Sequence, residues 1–171
     1  MECRDSVIFE RRTGLESPPF MKYRGDRDPR NEPRRRAGFA TWTFEDDVTH
    51  VSFVGKGPDE SRSGAYRALT DDPDRRLAWA RQIHSSRVVA VDDGGPSGEA
   101  DALTTQTDRL ALSVATADCV PVVVAGARTL ATIHAGWRGL VGRIITNTVG
   151  GLAEPAAALR AWIGPAIGSC C

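Results

Sequence analysis

From Arg76 onward the chain alternates apolar runs of strand length with polar or glycine-bearing breaks. "LAWARQIH" and "RVVAVDD" predict two strands joined around His84 and Ser85 and ended by the turn cluster "DDGGPSG". "RLALSVAT" and "VPVVVAG" are two further runs separated by "ADC", and "TLATIHA" is another. "LVGRIITNTVGGL" has apolar residues at positions 140, 141, 144, 145 and 149, the spacing of one helical face closing at Gly150. "ALRAWIG" is a last strand-like run. Near-continuous apolar strands mixed with a helix predict an α/β fold, an α+β sandwich in which helices cover a mixed sheet.

The first half has a different texture. Residues 22–36, "KYRGDRDPRNEPRRR", are arginine-rich and carry too few apolar groups to offset the entropy of ordering, so residues 1–38 are expected to form a disordered or poorly ordered basic segment. Residues 39–76 carry scattered aromatics, Phe39, Trp42, Phe44, Phe53 and Tyr66, without a sustained period, and only "HVSFV" reads as a strand. A single domain over residues 39–171 is the expectation.

Composition then removes several classes of partner. Lys plus Arg and Asp plus Glu both total 22, so no net field draws the chain to nucleic acid or an anionic membrane. No signal-like leader and no run of about 18 apolar residues occurs, which predicts a cytoplasmic protein. Four cysteines, at 3, 119, 170 and 171, have no regular spacing and make a poor disulfide framework.

Candidate chemistry gathers where the apolar runs end. His84 follows "LAWARQI", Cys119 follows "LSVATAD" and His134 follows "LATI". Two imidazoles and a thiolate make a three-ligand set for Zn²⁺ that leaves a fourth position for water, substrate or phosphate. Copper is also compatible with these donors. Cys119 with His134 as its base could instead form a metal-free cysteine hydrolase. Asp118 is a candidate to orient a ligand histidine or to act as a base. Arg138, at the start of a helix, is a candidate anion contact, and Trp137 could stack a flat substrate or lie in the core. His50 receives no role.

Taken together and in order, "RQIHSSRVVAVD", "ADALTT", "LSVATADCVPVVV", "ATIHAGWRGLVGRIITNTV" and "AWIGPAIGSCC" resemble the laccase-domain family. That family was long labelled multicopper polyphenol oxidoreductases and later assigned as purine nucleoside phosphorylases with adenosine deaminase and methylthioadenosine phosphorylase activity. The resemblance runs from about Arg76 to Cys171. It implies a fold related to the cytotoxic-necrotising-factor type of cysteine hydrolase, zinc held by His84, Cys119 and His134, and purine nucleosides and inorganic phosphate as small-molecule partners. The family's usual "GFSTRxGGxS" segment is matched here by "GFATWTFEDD", with Trp42 at the arginine's place, and the family normally continues past "CC". The sequence therefore also carries the expectation of a domain incomplete at both ends, with a copper-dependent polyphenol oxidase and an inactive, metal-binding remnant as alternative readings.

Overall fold

A computed structural model describes residues 5–11, 33–45, 49–55, 62–70, 72 and 74–168. Its strands form two sheets. The first contains β1 (Asp5–Arg11), β2 (Arg34–Arg36), β3 (Phe39–Glu45), β4 (Thr49–Val54), β5 (Arg76–Arg81), β7 (Gly95–Glu99) and β9 (Leu110–Thr116), in the order β2-β3-β4-β1-β9-β5-β7. The second contains β6 (Val88–Ala90), β8 (Ala102–Thr105), β10 (Val120–Ala125), β11 (Leu130–Ala135) and β12 (Arg160–Ile163), in the order β12-β10-β11-β8-β6. Most pairings are antiparallel, but β5 pairs in parallel with both β9 and β7, and β6 with β8. Both sheets are accordingly mixed, and the expectation of an α/β fold with mixed sheets holds.

The unbroken apolar runs are explained by burial on two faces. In β5, Ala78 and Ala80 point into the core between the sheets, while Leu77 joins Phe39 and Val54 beneath the helix α1 (Arg62–Leu69), against its Tyr66 and Leu69. In β10, Val123 and Ala125 face the inter-sheet core, and Val122 and Val124 face the opposite side with Ile133 and Ile144. Ile144 begins the helix α3 (Ile144–Gly151), so the order of layers is helix, sheet, sheet, helix. Successive residues of a strand point to opposite faces, and here both faces exclude water.

Several local expectations change, and the stretch 39–76, in which only "HVSFV" reads as a strand, also forms β3 and α1. The single helix expected over "LVGRIITNTVGGL" is two: α2 (Trp137–Val141) ends at Gly142, Arg143 takes a left-handed conformation (φ 63°), and α3 starts afresh. The turn cluster "DDGGPSG" contributes the edge strand β7, whose Gly95 and Gly98 have positive φ and whose Pro96 sits where a missing N–H is tolerated. Of the segment 1–38, expected to lack order, residues 1–4 and 12–32 lie outside the described residues, while Asp5–Arg11 and Arg34–Arg36 form β1 and β2. The "SVIFE" stretch of β1 has the β-branched and aromatic residues that strands favour, and it pairs on one side with β4 and on the other with β9. Cys3, Cys170 and Cys171 lie outside the described residues. "HVSFV" and "ALRAWIG" are strands, as expected, and "RVVAVDD" shortens to Val88–Ala90. No helix among the described residues is long and apolar enough to cross a membrane.

The β10–β11 hairpin is held at its turn by Glu154, which follows α3. Its carboxylate accepts hydrogen bonds from the N–H groups of Ala127 (2.7 Å), Arg128 (2.9 Å) and Thr129 (2.8 Å) and from the Thr129 hydroxyl (2.7 Å). Partial burial raises the carboxyl pKa, but these four donors outweigh it and hold the group below its usual value of 4.5. A depressed carboxylate pKa adds stability that is fully present above the unfolded-state value and is lost as pH falls through the folded one. Glu154→Gln should therefore lower the unfolding free energy by about 1–3 kcal/mol at neutral pH. In urea titrations, the gap to the native chain should close as pH drops below about 4.5 and on through the depressed pKa.

Candidate metal centre

The three donors predicted from sequence come together. One ligand atom each from His84, Cys119 and His134 lies within 4.8 Å of the others. His84 lies in the connection after β5, Cys119 immediately precedes β10, and His134 is the penultimate residue of β11. The β10–β11 register puts Val120 opposite Ala135 and Pro121 opposite His134, so the hairpin alone brings Cys119 and His134 to the same end of the second sheet. The His84 and His134 rings meet edge to face, with centroids 4.8 Å apart. His84 is exposed, Cys119 half-buried and His134 buried, which leaves one open side facing a cleft of about 810 Å³.

The glycines of "HAGWRGLVG" explain how α2 approaches this centre. A Cβ on Gly136 would stand 3.0 Å from the Cys119 Sγ and 3.2 Å from the His84 ring. One on Gly139 would stand 2.9 Å from the Ser85 carbonyl oxygen, and one on Gly142 would stand 2.8 Å from the Ser86 Cβ. Glycines three residues apart thus clear one side of α2, on which the 84–86 connection lies. This stretch is a packing surface as much as a carrier of His134.

A residue that the sequence reading passed over organises the centre. Asp101, fully buried just before β8, accepts hydrogen bonds from the N–H groups of Ile83 (3.3 Å), His84 (3.0 Å) and Ser85 (2.7 Å), from the Ser85 hydroxyl (2.7 Å) and from His134 Nδ1 (2.8 Å). Burial raises its pKa, yet the hydrogen bonds from His134 and Ser85 and the N–H groups prevail and keep it below the ordinary 3.8. His84 has φ 58°, a left-handed conformation that costs a non-glycine residue about 1–3 kcal/mol unless its surroundings impose it. The converging N–H groups of residues 83–85 impose it by closing on one anion. In the sequence Asp101 stands only as the acid of "ADALTT", ahead of a strand, where an ordinary turn residue would look the same.

The other predicted residues fall differently. Asp118 is exposed on the cleft wall beside Cys119, and the carboxylate that orients the histidine is Asp101. Arg138 is exposed, with its guanidinium 4.8 Å over the ring of Trp137, which is 66% exposed; neither side chain lines the cleft. Among the described residues, the Lys or Arg that does line it is Arg81, ion-paired with Glu99. Trp79 and Pro96 add apolar wall. His50 is buried and bonded to the Ser52 hydroxyl (2.9 Å), away from the cleft. Trp42 lies on β3 opposite Phe53 and packs partly buried against the inter-sheet core.

Cys119 is not a ready nucleophile in isolation. Burial, then the charges of Asp118 and Asp101, push its thiol above the ordinary value. A thiolate here needs a cation beside it, which a bound metal ion or a neighbouring imidazolium would supply. The geometry and the mixed sulfur and nitrogen donors together fit a borderline transition-metal ion.

The model of the multi-copper polyphenol oxidoreductase laccase family matches residues 56–171. The chain belongs to that family. Among curated relatives, it is 37% identical over 124 residues to a purine nucleoside phosphorylase of Pseudomonas aeruginosa, covering 70% of this chain and 48% of the relative. It is 38% identical over 129 residues to the purine nucleoside phosphorylase YfiH of Shigella flexneri, covering 72% and 52%. The chain thus spans about half the length of these relatives. Among solved structures it resembles the YfiH protein of Bacillus licheniformis, with TM-score 0.56 and 31% identity over 63% of this chain and 46% of that one. A Neisseria meningitidis protein gives TM-score 0.53 and 33% identity over 62% and 43%.

Gly136→Ala tests whether the centre needs close approach. Its φ of −76° accommodates alanine, so the fold should persist while the methyl pushes Cys119 and His84 apart. Zinc affinity, measured by competition with a chromophoric chelator, should fall about tenfold or more.

Proposed function

We propose that this chain carries the metal centre of a purine nucleoside phosphorylase, with zinc held by His84, Cys119 and His134. The observation that carries the reading is the convergence of these three donors at the mouth of a cleft in a chain whose curated relatives bear that name. Adenosine, inosine, guanosine and methylthioadenosine are the proposed nucleosides, and inorganic phosphate the co-substrate. A bound divalent ion supplies Lewis acidity, which can assist a departing base or activate water for deamination of adenosine.

The chain's own residues divide the remaining work. In phosphorolysis the bond between the anomeric carbon and the base breaks, a phosphate oxygen bonds to that carbon, and the base takes up a proton. Trp79 and Pro96 give the base an apolar wall, and Asp118 is placed at the cleft to exchange that proton. Arg81 is the cleft's candidate phosphate contact. Its pairing with Glu99 is solvent-exposed and therefore weak, so an anion can displace the carboxylate. Arg138, the cation suggested by sequence, stands outside the cleft lining and serves as the comparison.

A second reading, copper-dependent phenol oxidation, is supported by the family's description and by the compatibility of the donors with copper. The two separate in one experiment on purified protein. Metal content is measured by mass spectrometry, adenosine plus phosphate is assayed for adenine and ribose 1-phosphate, and oxygen uptake is followed with a phenol. Near-stoichiometric zinc with phosphate-dependent adenine release, both lost in Cys119→Ala, is the expected outcome. Zinc without turnover would identify an inactive remnant, and copper-dependent oxygen uptake an oxidase. Arg81→Ala should raise the KM for phosphate about tenfold, the equivalent of one charge-assisted hydrogen bond, while Arg138→Ala changes it less than about twofold.

A further inference from the structure

Asp101 joins two of the three donors through different parts of its carboxylate. Oδ1 accepts from the His84 N–H and from His134 Nδ1, whereas Oδ2 accepts from the N–H groups of Ile83 and Ser85 and from the Ser85 hydroxyl. The three backbone N–H groups can only donate and the Ser85 hydroxyl donates to Oδ2, so these four contacts call for an ionised carboxylate, opposite which His134 Nδ1 is a donor. A neutral imidazole that donates from Nδ1 carries its lone pair on Nε2, and that lone pair is what binds a metal. The backbone adds a second tie, because the His134 N–H donates to the Asp101 carbonyl oxygen (2.7 Å) and the Asp101 N–H to the Arg87 carbonyl oxygen (3.1 Å).

We infer that Asp101 is the positioning residue of the centre. It sets the ring tautomer of His134 that makes Nε2 a ligand, and with the same carboxylate holds the 83–85 connection that presents His84. The inference rests on the metal reading above but not on any nucleoside chemistry. It distinguishes a role in tautomer selection from simple support of the fold, because an amide of the same shape keeps the Oδ2 contacts and changes those at Oδ1, where His134 can respond by moving its ring proton. In Asp101→Asn the side chain has one acceptor. The Oδ2 position faces two N–H groups and the Ser85 hydroxyl, against one N–H at Oδ1, so the amide oxygen belongs at Oδ2 and the NH₂ group turns toward His134, leaving the His84 N–H without its acceptor. The imidazole is the partner able to respond, by accepting at Nδ1 and moving its proton to Nε2.

The test uses the full chain stripped of metal. Long-range ¹⁵N–¹H spectra of the histidine rings report which nitrogen is protonated, a competing chelator reports zinc affinity, and circular dichroism reports folding. In the native chain His134 should be the Nδ1–H tautomer. In Asp101→Asn it should become the Nε2–H tautomer, with zinc affinity lowered about 10- to 100-fold in a protein that remains folded. Ser85→Ala removes one donor from Oδ2 and the acceptor of the Arg87 N–H but leaves both Oδ1 contacts in place, so it should keep the native tautomer and lose less zinc affinity than Asp101→Asn. An Nε2–H tautomer in the native chain overturns the inference whatever the variants do, including an Asp101→Asn chain that fails to fold. So does a folded Asp101→Asn chain with unchanged tautomer or zinc affinity. Failure of the phosphorylase assay leaves these outcomes untouched, because zinc is the only ligand used.

Discussion

The central strands are buried on both faces, and this constraint places the chemistry. Between the sheets lie Val51, Ala78, Leu103, Leu112 and Val123; on the outer faces lie Leu77 under α1 and Val124 and Ile133 under α3. A polar side chain in the middle of such a strand would have to find all its partners away from water. Strand ends and the connections after them escape that penalty, and there the chain puts His84, Cys119 and His134. Having two sheets also matters, since β5 leads to His84 from one sheet while β10 and β11 carry the other two donors in the second.

Gathering donors at one place creates an electrostatic problem that a buried carboxylate solves. An unpaired Asp101 in the interior would be strongly unfavourable, and five donors compensate for its burial. The same five bonds impose the left-handed backbone of His84 and orient the His134 ring. The glycine-lined side of α2 then allows the 84–86 connection to lie against helix backbone at contact distance. Charge and shape therefore act on the same short loop from opposite sides. Elsewhere Glu154 repeats the theme of one carboxylate gathering N–H groups, at the turn of the β10–β11 hairpin.

Family membership fits this arrangement without exhausting it. The chain spans about half the length of curated relatives named purine nucleoside phosphorylases, and the family match over residues 56–171 includes all three donors. Trp42, which replaces the arginine expected in the family's N-terminal motif, is here packed against the inter-sheet core. Within the cleft itself, Arg81 is the positive charge, on a strand whose pairing with β7 shifts register between Trp79 and Arg81.

Local pattern alone located β5, β6, β9, β10, β11 and β12 and the three candidate donors, because apolar runs mark burial and the polar residues at their ends mark where burial stops; it took β7 for a turn and passed over β8. It did not reveal β1, since a strand that enters the middle of a sheet from a polar segment is recognised only by the partners that receive it, β4 and β9. Nor did it reveal the break between α2 and α3, where the apolar spacing continues through Arg143 while the backbone does not. Asp101 is the clearest case. Its residue type and flanks are those of a turn, and its role comes from donors 16 to 18 residues before it and 33 after it. The sequence determined which groups could bind an ion and where strands would end. The tertiary structure decided which of them meet, because the meeting depends on sheet register and on hydrogen bonds between segments that share no local pattern.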